Sequence, residues 1–206
     1  MKYLIAAVAL LATATPALAQ DDAYDFTGPY VGAFVGLDHY RIKDKASGES
    51  GSREGAAFGA LVGYNVDAGG LIFGIEGEWG DASTSADAGD VFVAGDNLKL
   101  SANRDLFIGA RAGVAAGSRA MVYVKGGYTN TRMTLQYSEP GFSVVEGSDT
   151  IDGWRAGGGV EFAATDKVLI RGEYRYSDYA EYKYLTQPTG LEASRHQFIV
   201  GVVGKF

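Results

Sequence analysis

Residues 167–177 read Lys167-Val168-Leu169-Ile170-Arg171-Gly172-Glu173-Tyr174-Arg175-Tyr176-Ser177. Val168, Ile170, Gly172, Tyr174 and Tyr176 fall in one phase of a two-residue period, and Leu169, Arg171, Glu173 and Arg175 in the other. Successive side chains of a strand point to opposite faces, so this stretch predicts a strand with one apolar, aromatic-ended face. The opposite face carries Arg, Glu and Arg at its middle, and the fold turns on which face is inside.

Seven further stretches alternate in the same way: 30–40, 56–66, 71–80, 105–115, 121–131, 154–164 and 196–206. After Gln20 no apolar stripe of period 3.6 is long enough to suggest a helix. The connections sort into two kinds. Asp67-Ala68-Gly69-Gly70, Ala116-Gly117-Ser118-Arg119 and Thr165-Asp166 are tight-turn sequences, whereas 41–55, 81–104, 132–153 and 178–195 are long and polar. Short and long alternate strictly. In an up-and-down meander all short turns then fall at one end, with both termini, and all long loops at the other. Transmembrane β-barrels sort their connections this way, with short periplasmic turns and longer extracellular loops.

The other strands have the same two faces. Leu71, Phe73, Ile75 and Trp79 oppose Glu76 and Glu78; Leu106, Ile108 and Val114 oppose Asp105, Phe107 and Arg111. Val122, Val124 and Tyr128 oppose Lys125; Trp154, Val160 and Phe162 oppose Arg155 and Glu161. A soluble barrel with its apolar face inward also satisfies the alternation. Three features favour the reverse. Aromatic residues end the apolar face, with Tyr64 and Phe206 at the short-turn end and Trp79, Trp154, Tyr174 and Tyr176 at the other, as in interfacial belts. The mid-strand charges Glu76, Glu78, Glu161 and Glu173 balance Arg111, Lys125, Arg171 and Arg175, as a narrow, desolvated lumen requires. Eight strands leave a lumen wide enough only for side chains, which gives the small residues Gly59, Gly63, Gly74, Gly109, Gly113, Gly157 and Gly159 of the inward face a purpose. Closure also pairs every strand edge, as hydrocarbon demands. The expected fold is therefore all-β, an eight-stranded antiparallel up-and-down transmembrane β-barrel.

Composition fits this reading. The chain has 206 residues, 30 Gly and 13 Tyr but 4 Pro, a content that disfavours helices. A formal net charge of -7 argues against nucleic-acid binding. The absence of Cys excludes disulfides and thiolate metal sites. The mean hydropathy of -0.03 resembles that of a soluble protein, but it averages two faces of opposite character with polar loops. Residues 1–19 read as a secretory signal peptide: Lys2, an apolar core over 4–12, and Ala17-Leu18-Ala19 before Gln20. Residues 20–206 are then the barrel domain.

Several stretches resemble the small eight-stranded outer-membrane barrels of Gram-negative bacteria, a group that includes the transmembrane domain of outer membrane protein A and its porin-like and adhesin-like relatives. They are Tyr30-Val31-Gly32-Ala33, Phe73-Gly74-Ile75-Glu76-Gly77-Glu78, Val122-Tyr123-Val124-Lys125-Gly126-Gly127-Tyr128, Gly157-Gly158-Gly159-Val160-Glu161-Phe162 and Arg171-Gly172-Glu173-Tyr174-Arg175-Tyr176. Their order and spacing carry the likeness over 28–206. The resemblance implies an outer-membrane location and a C-terminal signal, Phe206 with Gly201, read by the barrel assembly machinery. Gly204 stands where that signal has an aromatic, and Ile199 where it has a polar residue. The resemblance covers the barrel alone and implies no tether to the cell wall.

The residues offer little catalytic chemistry. His39 and His196 are the only histidines, both in the apolar phase near the long-loop end of the first and last strands, which meet on closure. With no third ligand in view, they read as interfacial side chains. Asp81, Asp87, Asp90 and Asp96 lack the register of a dedicated calcium loop. Tyr174 and Tyr176 continue the belt; Tyr179, Tyr182 and Tyr184 beyond it suit either that belt or an adhesive surface. The expected function is structural: a monomeric barrel in contact with outer-membrane lipid and lipopolysaccharide, without enzymatic activity, metal or cofactor. Its four long loops serve as a recognition surface for a ligand. A small diffusion pore is the alternative, and a lipid-modifying enzyme a third reading.

Overall fold

The computed structural model describes residues 23–44, 50–83, 85–89, 96–138, 145–179, 183–184, 187–188 and 191–206. The proposed signal peptide lies outside these. Eight long strands, each paired antiparallel with the next, make the barrel: β1 Gly28–Asp44, β2 Ser50–Asp67, β3 Leu71–Ala82, β4 Asn97–Ala115, β5 Ala120–Ser138, β6 Val145–Ala163, β7 Val168–Tyr179 and β8 Leu191–Lys205. β1 pairs with β8, from Tyr30↔Lys205 to Asp44↔Leu191, so the sheet has no free edge around its circumference. A short strand, Ser85–Gly89, extends the sheet along the outer part of β4, and Lys183–Tyr184 pairs with Gln187–Pro188 above β7.

The apolar phase faces outward. Val35 is 64% exposed, Ile75 68%, Ile108 67% and Phe198 61%, while the charged phase is buried. A soluble barrel would reverse this. The membrane order follows because hydrocarbon accepts the apolar band and the closed ladder pairs each strand on both sides.

Turn chemistry closes the short end. Gly69 and Gly70 adopt φ of 75° and 91°, the left-handed region glycine enters freely, and the Gly70 N–H donates to Asp67 Oδ1 at 3.0 Å. The Thr165 hydroxyl oxygen accepts from the Val168 N–H at 3.0 Å.

The strands outrun the alternating stretches seen in sequence. Much of what reads as long polar connection is paired strand: Lys43 lies opposite Ser50, Asn97 opposite Ser138 and Tyr137 opposite Val145. Backbone hydrogen bonds build the ladder and need no apolar side chains. The apolar pattern therefore stops where the hydrocarbon stops, and the strands continue above it. A bulge between Ala102 and Asp105 interrupts β4 near this boundary.

Residues 23–27 precede the barrel and seal its short-turn end. Phe26, 4% exposed, packs with Ile72, Met121, Leu169 and Val203 as an apolar floor. Asn65 Nδ2 donates to the Phe26 carbonyl at 3.0 Å, and the Tyr24 N–H to the Ser118 carbonyl at 2.8 Å. The hydroxyl and backbone N–H of Thr27 hold the Asp25 carboxyl below its usual range.

Candidate functional site

The inward phase of the strands converges on one buried network above the apolar floor. Its lower part joins Glu161 of β6, Arg111 of β4 and Arg171 of β7. Arg111 Nη1 donates to Glu161 Oε1 at 3.1 Å and to the Tyr30 hydroxyl at 3.1 Å. Arg171 Nε reaches Glu161 Oε1 at 2.8 Å, and its Nη2 reaches Glu76 Oε2 at 2.8 Å. The Tyr30 hydroxyl donates to the same Glu76 oxygen at 2.9 Å.

Lys125 holds the centre. Its Nζ lies 2.9 Å from Glu76 Oε1, 2.5 Å from Glu78 Oε1 and 2.8 Å from Glu173 Oε1. Oxygens of these three carboxylates lie within 4.8 Å of one another, the spacing of a possible cation site. The lysine ammonium already stands there and supplies the charge a bound cation would. Tyr123 donates to Glu173 Oε2 at 2.5 Å, and Arg175 Nη1 to Glu78 Oε2 at 2.6 Å.

Upward the chain of pairs continues. Arg155 Nη1 donates to Glu78 Oε2 at 3.2 Å and its Nη2 to Asp105 Oδ2 at 2.6 Å. Arg195 Nη1 reaches Asp105 Oδ2 at 2.9 Å, and Arg195 holds Asp38 with two nitrogens. Tyr40 and Tyr179, stacked at 6.0 Å, pack with Ile151 above this level.

All eight charged residues singled out in sequence, Glu76, Glu78, Arg111, Lys125, Glu161, Arg171, Glu173 and Arg175, are at most 5% exposed and belong to this network. Four more buried members complete it: Asp38, Asp105, Arg155 and Arg195. Charge still balances, these two acids against these two bases. The alternation already places Arg155 and Asp105 in the inward phase of their strands, though not among the balancing charges. Asp38 and Arg195 sit near the long-loop end of the seam strands, where the apolar pattern gives out.

Sequence reasoning placed Phe107 in the inward phase but missed the rest of the aromatic lining. Tyr30, Phe34 and Tyr123 also point inward, and the cationic side chains stack on these rings. Arg111 lies 4.0 Å from the Tyr123 ring centroid and Arg175 4.5 Å from that of Phe34. Arg111 Nη2 and Arg175 Nη2, which find no hydrogen-bond acceptor, belong to these stacked groups. The inward glycines make room for rings as much as for charged chains. A methyl group at Gly63 would stand 2.2 Å from the Tyr30 hydroxyl, and one at Gly109 2.5 Å from the Phe107 ring.

The outer face carries the expected belt. Tyr64 is 50% exposed, Trp79 53%, Trp154 52%, Tyr174 40% and Phe206 80%, with Tyr176 half-buried beside Trp154 at 5.5 Å. Tyr128 joins them, hydrogen-bonded to Asp152. Tyr179 turns inward instead, and Tyr182 lies outside the described residues. Of the acidic loop, Asp96 is buried, the Asp81 carboxylate accepts from the Ala82 N–H at 2.7 Å, and Asp90 lies outside the described residues. Gly201 pairs with Phe34, where an added methyl group would stand 3.0 Å from the Ala33 carbonyl oxygen, and the Phe206 N–H donates to the Pro29 carbonyl at 3.1 Å. His39 and His196 do meet, as direct cross-strand partners with ring centroids 6.4 Å apart.

Residues 5–206 match the model of a family described as outer membrane protein beta-barrel domain. The 25 kDa outer-membrane immunogenic protein of Brucella melitensis biotype 1 is 27% identical over 188 residues, covering 89% of this chain and 80% of the relative. The 31 kDa outer-membrane immunogenic protein of the same organism is 28% identical over 183 residues, covering 79% and 75%. Among solved structures, Neisserial surface protein A is similar with a TM-score of 0.54 at 19% identity, over 87% of this chain and 98% of that one. At that identity the likeness is one of fold.

Proposed function

The chain belongs to the outer membrane protein beta-barrel domain family and resides in the outer membrane, and from that premise we propose that it is a plugged barrel with a structural and surface-presenting role. The observation that carries this reading is the filled lumen. A water column through the barrel would wet the charged side chains along it, yet Arg171 is 0%, Arg155 1% and Glu76 1% exposed. The network runs from Glu161 near the short turns to Asp38 near the long-loop end, between the Phe26 floor and the Tyr40–Tyr179 stack. Such a barrel is a rigid scaffold, and recognition falls to the long-loop end, where strands rise above the apolar band.

Several further properties belong to the same reading. The protein is a monomer in contact with outer-leaflet lipopolysaccharide, and the barrel assembly machinery inserts it by its C-terminal strand. The description of the Brucella relatives as immunogenic supports a surface-presented loop end. The reading includes no enzymatic activity: the His196 ring nitrogen Nδ1 is engaged by the Tyr174 hydroxyl at 2.7 Å on the outer wall, as one of the interfacial side chains. Planar-bilayer recording of the refolded protein tests it. The expected record has no steady conductance, and a steady current altered by Glu76→Gln or Arg111→Gln would make the protein a pore. A lipid-modifying activity abolished by His196→Ala would make it an enzyme. Single-loop deletions assayed for cell-surface binding identify the loop that carries recognition.

A further inference from the structure

Four side chains stand in a row across the outer wall at the upper edge of the apolar band. His196 of β8 faces Tyr176 of β7 on one side and His39 of β1 on the other, and His39 faces Glu54 of β2. Directly opposed residues of antiparallel strands bring their Cβ atoms to about 5 Å, so two imidazoles and a carboxylate share one small area. They line an open recess of about 520 Å³ with Leu37, Gly55 and Tyr174.

One of the separations already suits a metal ion. His39 Nδ1 lies 3.6 Å from Glu54 Oε1. Two ligands bound tetrahedrally to Zn²⁺ at about 2.1 Å stand roughly 3.4 Å apart. The His39–Glu54 pair thus already has nearly the separation of two metal ligands. Two imidazoles on one such ion have centroids about 5 Å apart. The observed 6.4 Å is wider by about 1 Å, so His39, whose side chain is 43% exposed, has to swing toward His196 for both rings to ligate one ion. Tyr174 holds His196 Nδ1 at 2.7 Å, which fixes the ring and leaves Nε2 as the ligating nitrogen. Engaging the second ring nitrogen of a metal-binding histidine in a hydrogen bond is the usual way such a ligand is oriented. The Glu54 side chain is 84% and that of His39 43% exposed, so an ion has access from the aqueous side.

We propose that His39, His196 and Glu54 form a surface site for a divalent transition-metal ion, with Zn²⁺ as the fitting case. Two imidazoles and one carboxylate leave a fourth position for water, the ligand count of an open zinc site. This differs from the lumen cluster, where Lys125 takes the cation's place. The first and last strands contribute one histidine each, so a bound ion also crosslinks the closing seam of the barrel.

The test is calorimetric titration of the tag-free mature barrel, refolded in detergent, with ZnCl₂. One ion per chain is expected. His39→Ala and His196→Ala each abolish that binding, Glu54→Gln weakens it, and Tyr174→Phe retains one site at roughly tenfold lower affinity. Co²⁺ gives an independent reading, with tetrahedral absorption bands in the wild type and none in the double histidine variant. These residues lie outside the packed lumen, so heat-modifiable gel mobility serves as the check that each variant is folded. Absence of Zn²⁺ binding by the folded wild type, or unchanged stoichiometry and affinity in the folded double variant, overturns the proposal.

Discussion

Arg195 grips Asp38 with two nitrogens, Nε on Oδ1 at 2.6 Å and Nη2 on Oδ2 at 3.0 Å, across the seam where the last strand meets the first. Both are 1% exposed. A buried bidentate pair offsets the desolvation of two charges only while both partners remain. Asp38→Leu should therefore destabilise the barrel by about 3–5 kcal/mol, less whatever Asp105 recovers as the second partner of Arg195. The double variant Asp38→Leu/Arg195→Leu should cost less than the sum of the single changes. Urea unfolding of the protein folded into lipid vesicles measures all three. Strict additivity would show that the two residues do not act as a pair.

Lys125 touches all three of Glu76, Glu78 and Glu173, whereas the neighbouring arginines approach them from the outside of the cluster. Lys125→Met leaves three carboxylates facing one another in a desolvated space without the ammonium they share. We expect this variant to refold poorly from urea, with a loss of at least about 3 kcal/mol. Ca²⁺ or Mn²⁺ in the refolding buffer should restore part of that loss, since the oxygens lie within 4.8 Å of one another. The wild type, whose site the ammonium fills, should show no comparable gain. Equal cation effects on both proteins would remove Lys125 from this role.

How much of this could be read in the chain follows from where each signal is strong. Strand count, connectivity and the outward face were legible in 167–177 and its seven counterparts, because lipid imposes a strict alternation within the hydrocarbon. The eight central charges were legible for the same reason: each interrupts an otherwise apolar or small stretch. Asp38 and Arg195 were not, because above the hydrocarbon polar residues occupy both faces and phase alone cannot say which ones turn inward. The inward rings of Tyr30, Phe34 and Tyr123 were missed because alternation sorts by polarity, whereas a narrow lumen sorts by shape. A ring fits there only against a residue such as Gly63, whose partner is set by register between strands and not by its own neighbours in sequence.

Phe26 shows the limit most plainly, since it precedes the first alternating stretch and belongs to no strand. In the structure it is 4% exposed and forms the floor of the barrel with Ile72, Met121, Leu169 and Val203. Phe26→Ala should lower stability by about 3 kcal/mol or more, as for other buried rings. The same variant should remain electrically silent in a bilayer, because the ion-pair network above the floor is untouched. A steady current in Phe26→Ala would mean that the floor, rather than the network, closes the lumen.

The chain's 2 tryptophans report membrane depth directly, because both lie on the outer wall at the long-loop edge of the apolar band. Trp79 is 53% and Trp154 52% exposed, on β3 and β6, on different sides of the barrel. Indole rings settle at the headgroup boundary, where the ring is apolar and the N–H can stay hydrated. In vesicles of brominated lipid, fluorescence should be quenched most by bromines near the headgroup and least by bromines near the bilayer midplane. Trp79→Phe and Trp154→Phe should each leave a signal quenched most near the headgroup, since both rings end the apolar face at its long-loop side. Strong midplane quenching of either one would shift the whole apolar band along the strands. It would also lift His39 and His196 out of the headgroup layer, so this one measurement fixes the vertical position of the barrel and of its outer rim together.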